Sequence, residues 1–187
     1  MNNTNSLLQF PYGPYDFWSP PDLGFIKLNF DATFQSDTRT STTAVLARDY
    51  EGKIVGAETY LFTDIVDAFV AEVRACERAL IFALRMGLRR LIVEGDSLTI
   101  MKKLKAKDKD KSILKTIIHH IRTLENYFEE VCYLFVTRLS NRAAHTLAME
   151  SMRRNYFGTW VDGVPISVMA LVEKGRMARS QRHQGPS

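Results

Sequence analysis

Two cysteines in 187 residues are too few for a disulfide-stapled scaffold. Cys76 falls on the apolar face of an expected helix and Cys132 inside an apolar run, so both read as small buried hydrophobes in a reducing compartment. Nowhere do eighteen uncharged apolar residues follow one another, which excludes a sequence-legible membrane-spanning helix. The first residues, Met1 to Phe10, have neither a basic leader region nor a long apolar core, so the expectation is an intracellular, unsecreted chain. Nothing in the sequence chooses between nucleus and cytoplasm. No internal repeat occurs, which sets solenoids and propellers aside.

What is present is the composition of a globular protein, 45% hydrophobic and 25% charged. A chain of this length buries roughly two-thirds of its unfolded surface and needs no structural metal to fold. The net charge of +4 is mildly basic, which favours approach to a polyanion without identifying one.

Residues 1–23 are rich in Pro, Asn, Tyr and Ser and end in Trp18, Ser19, Pro20 and Pro21, an extended lead-in. The domain is expected over residues 24–155. Ile26, Leu28 and Phe30 alternate on one strand face, and Asp31 stands where that apolar run stops. A second strand, Thr42 to Arg48, runs into Asp49 and Gly52, residues suited to a tight turn, and a third, Ile54 to Phe62, pairs back on it. The period then changes to that of a helix at Phe69, Val73, Cys76, Leu80 and Leu84, with Asp67 as N-cap and Gly87 at the C-terminal end.

Leu91 to Val93 form a short fourth strand closing on Asp96, and Ser97 starts a helix through Leu104. Ile113, Ile117, Ile121 and Leu124 mark another helix, Val131 to Thr137 a fifth strand, and Asn141 to Arg154 a last helix. The order βββαβααβα calls for a five-stranded mixed sheet, three antiparallel strands then two parallel ones, flanked by helices. Residues 156–187 are a tail, partly packed through Trp160, Val164, Ile166, Val168 and Leu171, then basic and disordered from Lys174 to Ser187.

Three acids from distant positions are thereby delivered toward strand ends: Asp31, Asp96, and Glu72 from a helix face otherwise made of Ala68, Ala75 and Ala79. In open α/β sheets ligands bind at such ends. An Asp in that position is ordinarily a cap or turn residue, so only the set carries weight. Three carboxylates at one point repel one another unless a hard cation lies between them, and carboxylate oxygens suit Mg²⁺ or Mn²⁺ rather than zinc.

The order of elements and the motifs together resemble the ribonuclease H family, particularly the reverse-transcriptase-associated domains abundant in plants. The resemblance runs from about Trp18 to Met152. It is carried by Pro20 and Pro21, the run Gly24 to Ala32 around Asp31, Arg48 and Asp49 with Gly52, Ala71 and Glu72 with Ala75 and Ala79, Val93 to Ser97 around Asp96, and Arg138 to Ala148 with Asn141, Ala144, His145 and Leu147. It implies a ribonuclease H-like α/β fold, a monomer, and hydrolysis of the RNA strand of an RNA·DNA hybrid with two divalent ions. Asp31 would bridge the ions, Glu72 and Asp96 would each hold one, and His145 would take the place where the family has a fourth aspartate. Imidazole suits Mg²⁺ less well than carboxylate, so the second ion is expected to bind loosely.

Two further departures stand out: Arg138 and Leu139 occupy the stretch where the family carries a mobile histidine, and Ala32 follows Asp31 where glycine is usual. Asn141, Arg138 and Arg142 are the expected nucleic-acid contacts, with Arg153 and Arg154 beside them, since arginine pairs bidentately with phosphate. The six lysines from Lys102 to Lys111 either grip phosphates or form a solvated turn between helices. His119 and His120 are expected at the surface. His145 itself reads equally as a metal ligand or as a helix residue with one bonded nitrogen. Three classes of function fit these residues: a hybrid-cleaving nuclease, a non-catalytic nucleic-acid-binding module derived from a retroelement, and a protein-interaction domain built on the apolar Trp160 to Leu171 segment.

Overall fold

The computed structural model describes residues 17–105, 113–161 and 163–183, with side chains described through Met177 apart from that of Ile113. The lysines from Lys107 to Lys111, most of the N-terminal lead-in and the last four residues lie outside that range. Strands β1 (Ile26–Gln35), β2 (Thr40–Arg48) and β3 (Ile54–Phe62) form an antiparallel meander. The chain then runs through α1 (Ala68–Arg85), β4 (Arg90–Gly95), α2 (Leu98–Lys105), α3 (Ile113–Glu125), β5 (Glu130–Phe135) and α4 (Arg142–Arg154). A two-residue β6 (Gly158–Thr159) and a helix α5 (Ile166–His183) follow. The sheet order is β5-β4-β1-β2-β3-β6, with β4 parallel to β1 and to β5.

The turn and cap chemistry explains the boundaries. Asp49 Oδ1 accepts from the backbone N–H groups of Glu51 and Lys53, both at 2.9 Å, and Gly52 supplies the positive φ of 76° that closes the β2–β3 hairpin. Asp67 caps α1 by accepting from Val70 N at 2.8 Å. At the other end Leu88 N bonds Ala83 O and Gly87 N bonds Leu84 O around Gly87 at φ 69°, a Schellman closure.

The apolar side chains divide between two faces of the sheet. Leu28, Phe30, Val45 and Ala47 pack beneath α1 and α3 with Leu80, Phe82 and Ile121. Ala44, Leu46 and Ala57 pack beneath α4 and α5 with Leu147, Val168 and Val172. Because side chains alternate along a strand, Lys27, Asn29 and Asp31 share the second face.

Four expectations are corrected. The sheet has six strands, not five: after α4 ends at Asn155 the chain returns along β3, where Glu58 faces Thr159 and Trp160 N bonds Ala57 O. The segment from Lys174 is helical through His183, because Val168 and Val172, one turn apart, anchor α5 on the domain. Strand β1 does not stop at Asp31 but continues to Gln35 against β2. Cys132 is exposed, because β5 is an edge strand and its neighbour Tyr133 takes the inward position. Among the described residues no helix is long and apolar enough to cross a membrane.

Candidate metal centre

The site forms where β4 is shorter than β1. Their parallel pairing ends at Asn29 opposite Glu94, so Asp31 emerges on β1 just beyond the last paired residue and Asp96 just past the end of β4. Gly95 permits this close approach, since a Cβ there would lie 2.6 Å from the Phe30 ring. Glu72 reaches the same point from the second turn of α1, held by Ala32 N donating to its Oε1 at 3.1 Å.

The three carboxylates offer oxygens all within 4.8 Å of one another. Asp31 is fully buried, and Asp96 keeps a tenth of its side chain exposed. Burial drives the Glu72 carboxyl well above the usual range, and the negative charges of Asp31 and Asp96 push it in the same direction against the Ala32 N–H. Glu72 Oε2 is buried without a hydrogen-bond partner. Crowded, hard, anionic oxygens with an acceptor left over fit a divalent cation of the Mg²⁺ or Mn²⁺ type.

His145, on the first turn of α4, places Nδ1 2.6 Å from Asp31 Oδ2, but it is not part of the three-carboxylate group. Arg138, in the β5–α4 loop, turns inward: Nη1 lies 2.7 Å from Asp96 Oδ2 and 3.4 Å from Asp31 Oδ1, and Nη2 lies 2.8 Å from His145 Nδ1. Partial burial opposes its charge, yet the hydrogen bond to Asp96 and the fields of Asp31, Asp96 and Glu72 together raise the guanidinium above its ordinary value. His145 Nδ1 cannot both donate to Asp31 and accept from Arg138, so these two contacts are alternatives.

The expected phosphate contacts separate. Arg142 is exposed at the start of α4, beside the site. Asn141 is fully buried, and its Nδ2 donates to Phe30 O at 2.9 Å, so it fixes the backbone that carries Asp31 instead of facing solvent. Arg153 and Arg154 pair with Glu150 at the far end of α4, roughly 17 Å along the helix from Arg142, and do not belong to the site. Lys102 and Lys105 are exposed on α2. His119 and His120 lie at the surface, and His120 Nδ1 is 2.7 Å from Glu77 Oε1.

Directly beneath the acids lies a polar cluster that sequence reasoning did not assign. Asn29 donates to Glu94 Oε2 at 2.9 Å and to Asn141 Oδ1 at 3.3 Å, and accepts from Arg48 Nη2 at 2.7 Å. Lys27 Nζ bridges Glu94 Oε1 at 2.7 Å and Ser19 O at 2.8 Å, while the Arg48 guanidinium stacks 3.5 Å from the centre of the Trp18 ring. The signal was the polar alternation of Lys27 and Asn29 between Ile26, Leu28 and Phe30.

Residues 29–151 match the family model described as reverse transcriptase-like. The chain belongs to the reverse transcriptase-like family. Its fold is that of solved ribonuclease H structures. RNase H1 from the halophilic archaeon Halobacterium salinarum is 23% identical, superimposes with a TM-score of 0.64, and is covered over 98% of its length by 70% of this chain. An N-terminal RNase H domain from Mycobacterium tuberculosis, solved as a fusion with maltose-binding protein, is 18% identical with a TM-score of 0.63, over 70% of this chain and 94% of that one. An RNase H1 isolated from compost by a metagenomic approach, solved with an RNA/DNA hybrid, gives 19% identity and a TM-score of 0.62 over 70% of this chain and 98% of that one. Among curated proteins none matches this chain.

Proposed function

We propose that this domain binds RNA·DNA hybrids and hydrolyses their RNA strand as an endonuclease, with divalent ions held by Asp31, Glu72 and Asp96. The observation that carries this reading is the gathering of those three carboxylates within 4.8 Å, one of them with an unpartnered buried oxygen. The ligand of the compost RNase H1 supports the substrate class. Divalent ions bound there would supply positive charge to the scissile phosphate and acidify the attacking water. Asp31, central and fully buried, would hold both ions, with Glu72 and Asp96 on either side.

The protein's own groups then do the positioning. Asn141 and Asn29 fix the β1 backbone under Asp31, and the exposed Arg142 meets backbone phosphate as the hybrid docks. His145 adds a ring where the family has an aspartate and contributes no negative charge, so the second ion binds weakly and Mn²⁺ supports more cleavage than Mg²⁺. The domain is taken to work as a monomer and, with two cysteines that are not paired with each other, in a reducing compartment.

The test is a labelled RNA·DNA hybrid incubated with Mn²⁺ beside an Asp31→Asn control. Cleavage by the parent, lost on the order of 100-fold or more in the control, is the expected outcome. His145→Asp should raise cleavage in saturating Mg²⁺, and an unchanged rate would refute the account of the histidine. A salt-dependent shift of the hybrid with no cleavage would replace the nuclease by a binding module.

A further inference from the structure

We infer that Arg138 is a resident counter-cation of the carboxylate site, which divalent ions must displace before they bind and which is thereby released to the nucleic-acid backbone. This rests on the reading of Asp31, Glu72 and Asp96 as the metal centre.

Three observations converge on it. The guanidinium bonds the outer edge of the cluster at Asp96 Oδ2 and approaches Asp31 Oδ1, the two acids that face each other across the end of β4. Those lone pairs are the ones a cation would use, so arginine and ion compete for the same acceptors. Second, its other nitrogen crowds His145 Nδ1, which already lies against Asp31 Oδ2, so the inward pose contains a contact that cannot be satisfied together with its neighbour. Third, Arg138 lies in a loop and 57% of its side chain is exposed, so more than half of it has no packing to leave on swinging outward.

The charge count favours the exchange. One guanidinium stands against three carboxylates, and Glu72 Oε2 remains unpartnered in its presence. Arginine therefore relieves only part of the repulsion, which a divalent ion relieves more fully. Once free, the planar fork is suited to a phosphate and sits on the loop next to the exposed Arg142. The same side chain thus lowers affinity for ions in the free protein and adds a backbone contact in the loaded one.

The experiment is Mn²⁺ binding to the full chain by electron paramagnetic resonance, with thermal unfolding measured with and without the ion, for the parent, Arg138→Gln and Arg138→Lys. Arg138→Gln should bind Mn²⁺ about tenfold more tightly, the scale of breaking one charge-assisted hydrogen bond on a half-exposed side chain, and gain a larger Mn²⁺-induced rise in Tm. Arg138→Lys, which keeps the charge, should stay near the parent. Equal or weaker binding by Arg138→Gln, with the parent itself binding, overturns the competition and leaves the metal centre standing. Absence of binding in all three proteins overturns the metal centre, and the competition with it.

Discussion

Two charged clusters share one face of β1, two residues apart, and they are built on opposite rules. The lower one places Lys27, Arg48, Glu94 and Asn29 so that its carboxylate is matched by a cation and by an amide; all four are buried, and Arg48, whose Nε has no hydrogen-bond partner, is held by Asn29 and by the Trp18 ring. The upper one gathers Asp31, Glu72 and Asp96 against one half-exposed arginine and leaves Glu72 Oε2 without a partner. A buried charge is tolerable when it is paired, so the lower cluster belongs to the folding of the domain. The upper one is costly to fold with unless a cation lies among its acids, and the proposed metal centre rests on that cost.

The difference is open to direct attack. The largest effect is expected below: Glu94→Leu removes the partner of Lys27 and Asn29 and should cost about 3–5 kcal/mol in urea unfolding, because it strands a buried ammonium. A cost under about 1 kcal/mol would erase the distinction between the clusters. Glu72→Gln, in the upper cluster, should have the opposite sign. The folded-state pKa of Glu72 lies above its unfolded value, so the parent loses stability as pH rises between the two, and that loss persists at higher pH. Glutamine keeps the Ala32 N–H bond and does not ionise. The variant should therefore exceed the parent by about 1 kcal/mol at pH 8 and match it at pH 4, as read from urea midpoints. A parent that gains stability over that window would reverse the assignment of Glu72 as a strained acid.

Much of this arrangement was legible in the residues. The alternation at Ile26, Leu28 and Phe30 and the helical spacing from Phe69 to Leu84 are strong because each element packs its apolar residues on one face against the core. The end of β1 was misread, since Ala32 and Phe34 continue the alternation of Ile26, Leu28 and Phe30 onto the same core while the strand goes on pairing with β2. Not legible were β6, whose two residues have no period to read, and α5, whose basic composition hides the Val168 and Val172 anchor. The convergence of Asp31, Glu72 and Asp96 was expected from pattern and resemblance, and the fold brings their oxygens together, with His145 beside Asp31 but outside that group. The directions of two side chains were not expected: Arg138 and Asn141 have the chemistry of phosphate contacts, but their surroundings turn one onto the carboxylates and the other into the core. Trp18 could not be assigned to Arg48 because the pairing is tertiary, across thirty positions of chain.

The smallest expected effect is a control on charge placement. Arg153→Ala removes an exposed ion pair with Glu150 at the far end of α4. It should change stability by less than about 0.5 kcal/mol and leave hybrid cleavage and binding unaltered. A tenfold loss of hybrid affinity would extend the nucleic-acid surface along the whole of α4.

The most direct test of the central claim is a Mn²⁺ titration of the parent protein against Asp31→Asn, followed by electron paramagnetic resonance. The parent should take up Mn²⁺ and the variant should lose that uptake while remaining folded. Equal uptake by both proteins, or none by the parent, would contradict the claim that these carboxylates are gathered to hold a divalent ion.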